Sequence, residues 1–195
     1  MHNLGPYITQ IEQKKIRKKY LMEFLDFHGV NPKLIGFDWL CNTDFFEAPA
    51  SKRYHGSYIG GLFDHSMNVA KELVKLTKAN RLVWQRPESP TIIGILHDVT
   101  KIGLYTWDTN GTVFNTNPEY LSLTGGHGSD SVEKILSHGL ELTPEEQKCI
   151  RFHMGAYETD AWTEFDLAIK EYPNVLWTHM ADMIASKLVE DNNGE

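Results

Sequence analysis

The stretch Ile92-Ile93-Gly94-Ile95-Leu96-His97-Asp98-Val99-Thr100-Lys101 decides the reading of this chain. Apolar residues run straight into an adjacent histidine and aspartate. An ionised carboxylate drawn into a core costs several kcal/mol unless a cation or donors compensate it. A divalent metal is one such compensation, because imidazole and carboxylate are both ligands of first-row metals. The run is apolar on all sides, so it reads as buried. Helix is favoured over strand over 91–101, because the run follows a helix and His97 and Lys101 lie four apart, which puts Lys101 one turn beyond His97.

Working outward, residues 62–78 form the clearest amphipathic helix, with Leu62, Val69, Leu73 and Leu76 on one face. His65 falls on that same inward face. Residues 174–189 read as a final helix, apolar on more than one side, with Asp182 in the middle of the run. Residues 129–137 read as a helix closed by Gly139. Thr143-Pro144-Glu145-Glu146 is a helix start, with an N-cap, a first-turn proline and early acids; that helix ends at His153-Met154-Gly155. His127 follows the paired glycines Gly125 and Gly126 in a loop over 120–128. Asp108-Thr109-Asn110-Gly111, flanked by Tyr105, Trp107, Val113 and Phe114, predicts a β-hairpin near 104–116. Residues 157–171 read as a partly helical surface segment, and 190–195 as a frayed polar tail.

Before this region, residues 7–27 read as a helix with Ile8, Ile11, Leu21, Phe24 and Leu25 as its apolar positions. Its run Lys14-Lys15-Ile16-Arg17-Lys18-Lys19 reads as a solvated face, with a phosphate-steering patch as the sharper alternative. Residues 31–57 read as an irregular cover with a short helical turn. The expected organisation is an N-terminal helix and cover over 1–50 and a helical domain over 51–190. The fold class expected is all-α, a helical bundle with one small hairpin excursion.

The 195 residues suffice for one domain with a real core. No apolar run approaches the ~18 residues that span a bilayer, and residues 1–7 read as neither a signal nor a transit peptide. Cys41 and Cys149 form no metal-type pair and read as reduced thiols of a cytoplasmic protein. A net charge of -7 argues against a stable long nucleic-acid partner. A small polyanion remains compatible if positive charge is concentrated at one spot, such as a metal site.

The polar residues that interrupt apolar faces are His65, His97, Asp98 and Asp182. Together they make an N/O site suited to Mn, Fe, Co, Ni or Zn. If His127 and His153 fold near Asp98, a second metal can bind with Asp98 as the bridge. Two such ions can activate water and clamp a phosphoryl oxygen. Tyr58, Tyr120 and Tyr157 are candidates to stack on a base, although packing is the commoner use of tyrosine.

The order His65, His97-Asp98, Asp182 resembles the HD-domain superfamily of metal-dependent phosphohydrolases. Gly60-Gly61-Leu62-Phe63-Asp64-His65 and Leu96-His97-Asp98-Val99-Thr100-Lys101 carry the likeness, which covers roughly 54–187. The stretch from Tyr54 to His65 is especially similar to the HD domain of bacterial 3′-5′ exoribonucleases. The placing of His127 and His153 resembles binuclear members, including cyclic-dinucleotide phosphodiesterases. Two features differ. The chain has no room for the exoribonucleases' nucleic-acid-binding module. Met154-Gly155-Ala156-Tyr157 stands where the cyclic-dinucleotide enzymes carry Gly-Tyr-Pro.

The resemblance implies a first metal held by His65, His97, Asp98 and Asp182, and a second held by His127, His153 and the shared Asp98. It implies that Lys101 meets a phosphate oxygen, and gives His55 a structural or pocket-wall role. His179, three residues before Asp182, reads as a supporting or packing residue. The function expected is hydrolysis of a phosphoester or phosphodiester of a nucleotide or short oligonucleotide. Asp98 and Lys101 would serve catalysis, and Lys101, Tyr58 and Tyr157 would contact substrate, with a homo-oligomer as a possible assembly. The alternatives are an HD-fold di-iron oxygenase and a non-catalytic nucleotide-binding module.

Overall fold

The computed structural model describes residues 9–107, 114–122, 126–158 and 162–190, and only the backbone of 107, 114, 157 and 158. Helix α1 (Gln10–Phe27) starts at a reciprocal cap. The Thr9 hydroxyl accepts from the Glu12 amide at 3.3 Å, and the Glu12 carboxylate accepts from the Thr9 amide at 2.9 Å. Leu21 and Leu25 are fully buried, whereas Ile11 is 69% exposed. The helix therefore docks through its second half, and Ile11 is not the core residue expected. Tyr7 and Ile8 lie outside the described residues.

The basic run of α1 is a solvated face only at Lys15, Ile16 and Lys19; Lys14, Arg17 and Lys18 turn to the segment that follows. Lys14 reaches the Glu47 carboxylate at 2.6 Å. Arg17 donates to the carbonyls of Phe46 at 3.3 Å and Ile59 at 3.0 Å, lies 3.8 Å from Asp64, and covers the Cα side of Gly60. Lys18 donates to the carbonyl of Cys41 at 3.2 Å. These cations satisfy carbonyls that the irregular segment leaves without ladder partners, and so seat α1 on that segment. Lys15 and Lys19 are the exposed remainder.

A 3-10 turn (Pro32–Ile35) and the short helix α2 (Phe37–Cys41) precede the cover, whose Phe45 and Phe46 pack on Phe63 of α3 (Gly61–Asn80). Helix α4 (Ser89–Leu96) crosses α3, and it is shorter than the sequence suggests. The chain leaves helical geometry at Asp98 (φ -112°) and makes a separate 3-10 turn, Val99–Lys101. Strands β1 (Tyr105–Trp107) and β2 (Phe114–Thr116) pair antiparallel, with Tyr105 opposite Thr116; the expected turn at 108–111 lies outside the described residues. Helix α5 (His127–Ser137) and helix α6 (Pro144–Arg151) follow. Glu146, which caps α6, also takes the Arg86 guanidinium at 2.7 and 2.6 Å and the Ser89 hydroxyl at 2.8 Å, tying α6 to the start of α4.

Helix α7 (Trp162–Glu171) buries Phe165 and Ala168, so that segment is more than surface. Helix α8 (Asn174–Ile184) continues into a π-turn, Ala185–Val189. The fold is all-α with a two-stranded excursion, around one continuous apolar core from Leu21 to Ala185. Among the described residues no helix is long and apolar enough to cross a membrane.

The α3–α4 crossing brings backbones into contact. A Cβ on Gly94 would lie 2.3 Å from Cα of Ala70. Helix propensity alone would favour alanine over glycine by up to about 1 kcal/mol. At this crossing the main chains must part, and such overpacking typically costs about 1–3 kcal/mol. Gly94→Ala should therefore lower the urea midpoint; an unchanged or raised midpoint would show that the helices can separate freely.

Candidate metal centre

Six side chains from five elements meet between α3, α4, α5, α6 and α8. His65 lies in the second turn of α3, where burial of Leu62, Val69 and Leu73 turns it inward. His97 caps α4, and the backbone turn at Asp98 directs the next side chain to the same point. His127 is the first residue of α5 rather than part of a loop. His153 follows the end of α6, and Asp182 is buried on α8. The α5–α6 approach is as close as that of α3 and α4: a Cβ on Gly128 would lie 2.3 Å from the carbonyl oxygen of Arg151.

Asp98 is the hub. Its Oδ1 lies 2.6 Å from Nε2 of His127 and 3.4 Å from Nε2 of His153. Its Oδ2 lies 3.5 Å from Nε2 of both His65 and His97, and 2.6 Å from Nζ of Lys101. Asp182 Oδ1 is 3.2 Å from Nε2 of His65. The two carboxylate oxygens of Asp98 thus face two different pairs of imidazoles.

The outer ring nitrogens of His97 and His153 are engaged elsewhere. Nδ1 of His97 lies 2.9 Å from the Gly94 carbonyl, and Nδ1 of His153 lies 2.7 Å from the Ile150 carbonyl. A carbonyl only accepts, so these Nδ1 atoms carry hydrogen and each Nε2 presents a lone pair when the ring is neutral. Nε2 of His153 is buried with no hydrogen-bond partner, and Nε2 of His65 and His97 lie 3.2 Å apart. Facing lone pairs at that distance repel unless a proton or a cation lies between them. The donor set therefore fits a metal. Among the described residues three groups have ligand atoms close enough to share an ion, and two lie at the hub: His65 with His97 and Asp182, and His97 with Asp98 and His153.

The remaining candidates fall around this hub. Tyr58 donates its hydroxyl to Asp64 at 3.1 Å and exposes its ring. Tyr120 donates to the Thr100 carbonyl at 2.7 Å and lies under Lys134, so it braces the loop after Asp98. The Tyr157 side chain lies outside the described residues. Nδ1 of His179 donates to the His153 carbonyl at 2.8 Å and supports that turn.

Sequence reasoning missed Glu190. Its Oε1 takes Nδ1 of His65 at 3.0 Å and Nδ2 of Asn68 at 3.2 Å, and its side chain is 9% exposed. It is not part of a frayed tail; residues 191–195 lie outside the described residues. In a regular helix, at about 100° per residue, Glu190 would stand about 80° around from Asp182. The π-turn, closed by the Glu190 amide on the Ala185 carbonyl at 3.0 Å, absorbs one residue and cuts that offset to about 20°. A period of 3.6 read from the sequence could not reveal this.

No protein-family model matches the chain, and no solved structure matches it. Among curated proteins the chain is similar to the dihydroneopterin 2′,3′-cyclic phosphate phosphodiesterase of Methanocaldococcus jannaschii. The identity is 26% over 185 residues, covering 87% of this chain and 72% of that protein.

Without a cation, protons hold the cluster together. Burial opposes a charge on His65, but the Asp182 and Glu190 carboxylates outweigh it and push its pKa up to about 10. Burial likewise opposes charge on Asp98, yet Lys101, His97 and His127 hold its carboxyl well below the usual range. Burial lowers His97. For His65 the folded state binds the proton more tightly, so its stabilisation is complete below the ordinary pKa of about 6.5 and is lost as pH rises towards 10. Metal-stripped protein should therefore unfold at progressively lower urea between pH 7 and pH 10, and His65→Gln should flatten that slope. An equally steep slope in the variant would place the responsible proton elsewhere.

Proposed function

We propose that this chain is a binuclear metal-dependent phosphodiesterase of the HD type, acting on a small cyclic or linear phosphodiester of a nucleotide-like molecule. The observation that carries this reading is the division of Asp98, with Oδ1 towards His127 and His153 and Oδ2 towards His65 and His97. A carboxylate so placed would serve both ions of a pair. His65, His97 and Asp182 would hold one ion, His127 and His153 the other. Bound divalent ions supply a water whose pKa falls towards neutrality and a clamp on phosphoryl oxygens. The similarity to a cyclic phosphate phosphodiesterase supports phosphodiester hydrolysis by an independent route.

The chain's own residues supply the rest. Nδ1 bonds to the Gly94 and Ile150 carbonyls fix the tautomers of His97 and His153, so both rings are set before any ligand arrives. Lys101 brings a compact positive charge to the hub. One of its three N–H groups meets Asp98, which leaves the others for a non-bridging phosphate oxygen. Hydrolysis breaks one P–O ester bond, forms one to the oxygen of water, and returns a proton to the leaving hydroxyl. The small substrate follows from charge: the net charge is -7, and Lys14, Arg17 and Lys18 are spent within the fold.

Metal analysis should find two ions per chain in the wild type and about one in His127→Ala. Asp98→Asn, which keeps the shape and removes the charge, should lose both ions and turnover of 2′,3′-cyclic nucleotides, 3′,5′-cyclic nucleotides and dinucleotides. An Asp98→Asn protein that retained ions and activity would remove Asp98 from the mechanism. Lys101→Met should retain the ions and lose about 10²–10³-fold in kcat, the scale for deleting one stabiliser of developing charge. An unchanged kcat would confine Lys101 to a structural role.

A further inference from the structure

We infer that Glu190 is a positioning residue that aims His65 at the metal centre, an inference that rests on the metal-centre reading above. His65 differs from His97 and His153 in one respect. Their outer nitrogens are fixed by carbonyls three residues back on their own chain segments. The outer nitrogen of His65 sits in a helix whose own carbonyls are occupied, and its partner comes from 125 residues away. Glu190 Oε1 accepts from it at 3.0 Å, so Nδ1 carries the hydrogen and Nε2 points at His97, Asp98 and Asp182.

The acceptor is itself held. Asn68, three residues beyond His65 and one turn on along α3, donates to the same oxygen at 3.2 Å. The π-turn then rotates Glu190 onto the face of Asp182. One stretch of chain thus delivers a candidate ligand and the group that orients a second one. A carboxylate here also raises the basicity of the ring it accepts from, which strengthens the bond that Nε2 makes to a cation. His55 packs on His65 with ring centroids 4.8 Å apart and planes tilted by 41°, and neither its buried Nδ1 nor Oε2 of Glu190 has a hydrogen-bond partner. The ring nitrogens of His55 and His65 and a Glu190 oxygen could together hold a separate ion. That arrangement would require Nδ1 of His65 to give up its hydrogen, which the bond to Glu190 uses.

The test titrates full-length protein with cobalt(II) alone against a competing chelator, recording affinity and ions per chain. Glu190→Ala should weaken cobalt binding about 10–100-fold without changing the number of ions. Glu190→Gln should lose less, because its amide oxygen still accepts from Nδ1. In a His65→Ala background, Glu190→Ala should change affinity by less than about 3-fold, since coupled residues lose their joint contribution once. A purely structural role for Glu190 would give the same loss in both backgrounds and overturn the proposal. So would an unchanged affinity in Glu190→Ala and Glu190→Gln alike. If Glu190→Ala and His55→Ala each removed one ion per chain, Glu190 would be a ligand of its own cation and the positioning role would be wrong. Absence of cobalt uptake by the wild type would instead strike the metal-centre reading, and this inference with it.

Discussion

A single carboxylate in the core dictates the arrangement of everything near it. Asp98 is 2% exposed and is surrounded by four imidazoles and an ammonium. Nothing in an apolar interior tolerates such a group alone, since an uncompensated buried charge is worth several kcal/mol of instability. Its neighbours must come from α3, α4, α5 and the end of α6, because no local stretch of chain carries enough of them. The bundle is therefore held to a common point by charge as well as by apolar burial. The same crowding is what makes these histidines candidate ligands. All four inner nitrogens face Asp98, and the outer nitrogens of His65, His97 and His153 are tied down.

Much of this is legible in the sequence. The helices over 62–78 and 174–189 follow from apolar periodicity, and the hairpin strands follow from the Asn-Gly signal between β-formers. His65, His97, Asp98 and Asp182 stand out as polar residues that break apolar faces, His127 and His153 as a loop and a helix-end histidine, and the structure brings all six together. Other features were hidden for identifiable reasons. The end of α4 at Leu96 has no glycine or proline to mark it; the chain bends there because Asp98 must turn towards its partners. The basic run of α1 looks like a surface face, since sequence cannot show which carbonyls lie within reach of a lysine. Glu190 was missed because a π-turn resets the helical phase just before it.

The basic run has a further meaning for the architecture. Arg17 bonds the carbonyl just before Gly60 and approaches Asp64, the neighbour of His65. Helix α1 contributes no group to the hub, yet it grips the entrance to the helix that does. The glycines of Gly60-Gly61 accordingly serve contacts within the chain.

The contact between Gly94 and Ala70 has a consequence for ion exchange. It sets the spacing of His65 and His97 by main chain against main chain, which has little give. On the other side His127 begins a helix, and its side chain is 31% exposed. Under the proposed reading the two halves of the centre would differ in access rather than stiffness, since α5 and α6 also meet main chain to main chain at Gly128. The enclosed half would release its ion slowly, while the half at the rim would exchange faster. Chelators would then strip the centre in two phases, and the metal recovered from purified protein would depend on which phase had run to completion.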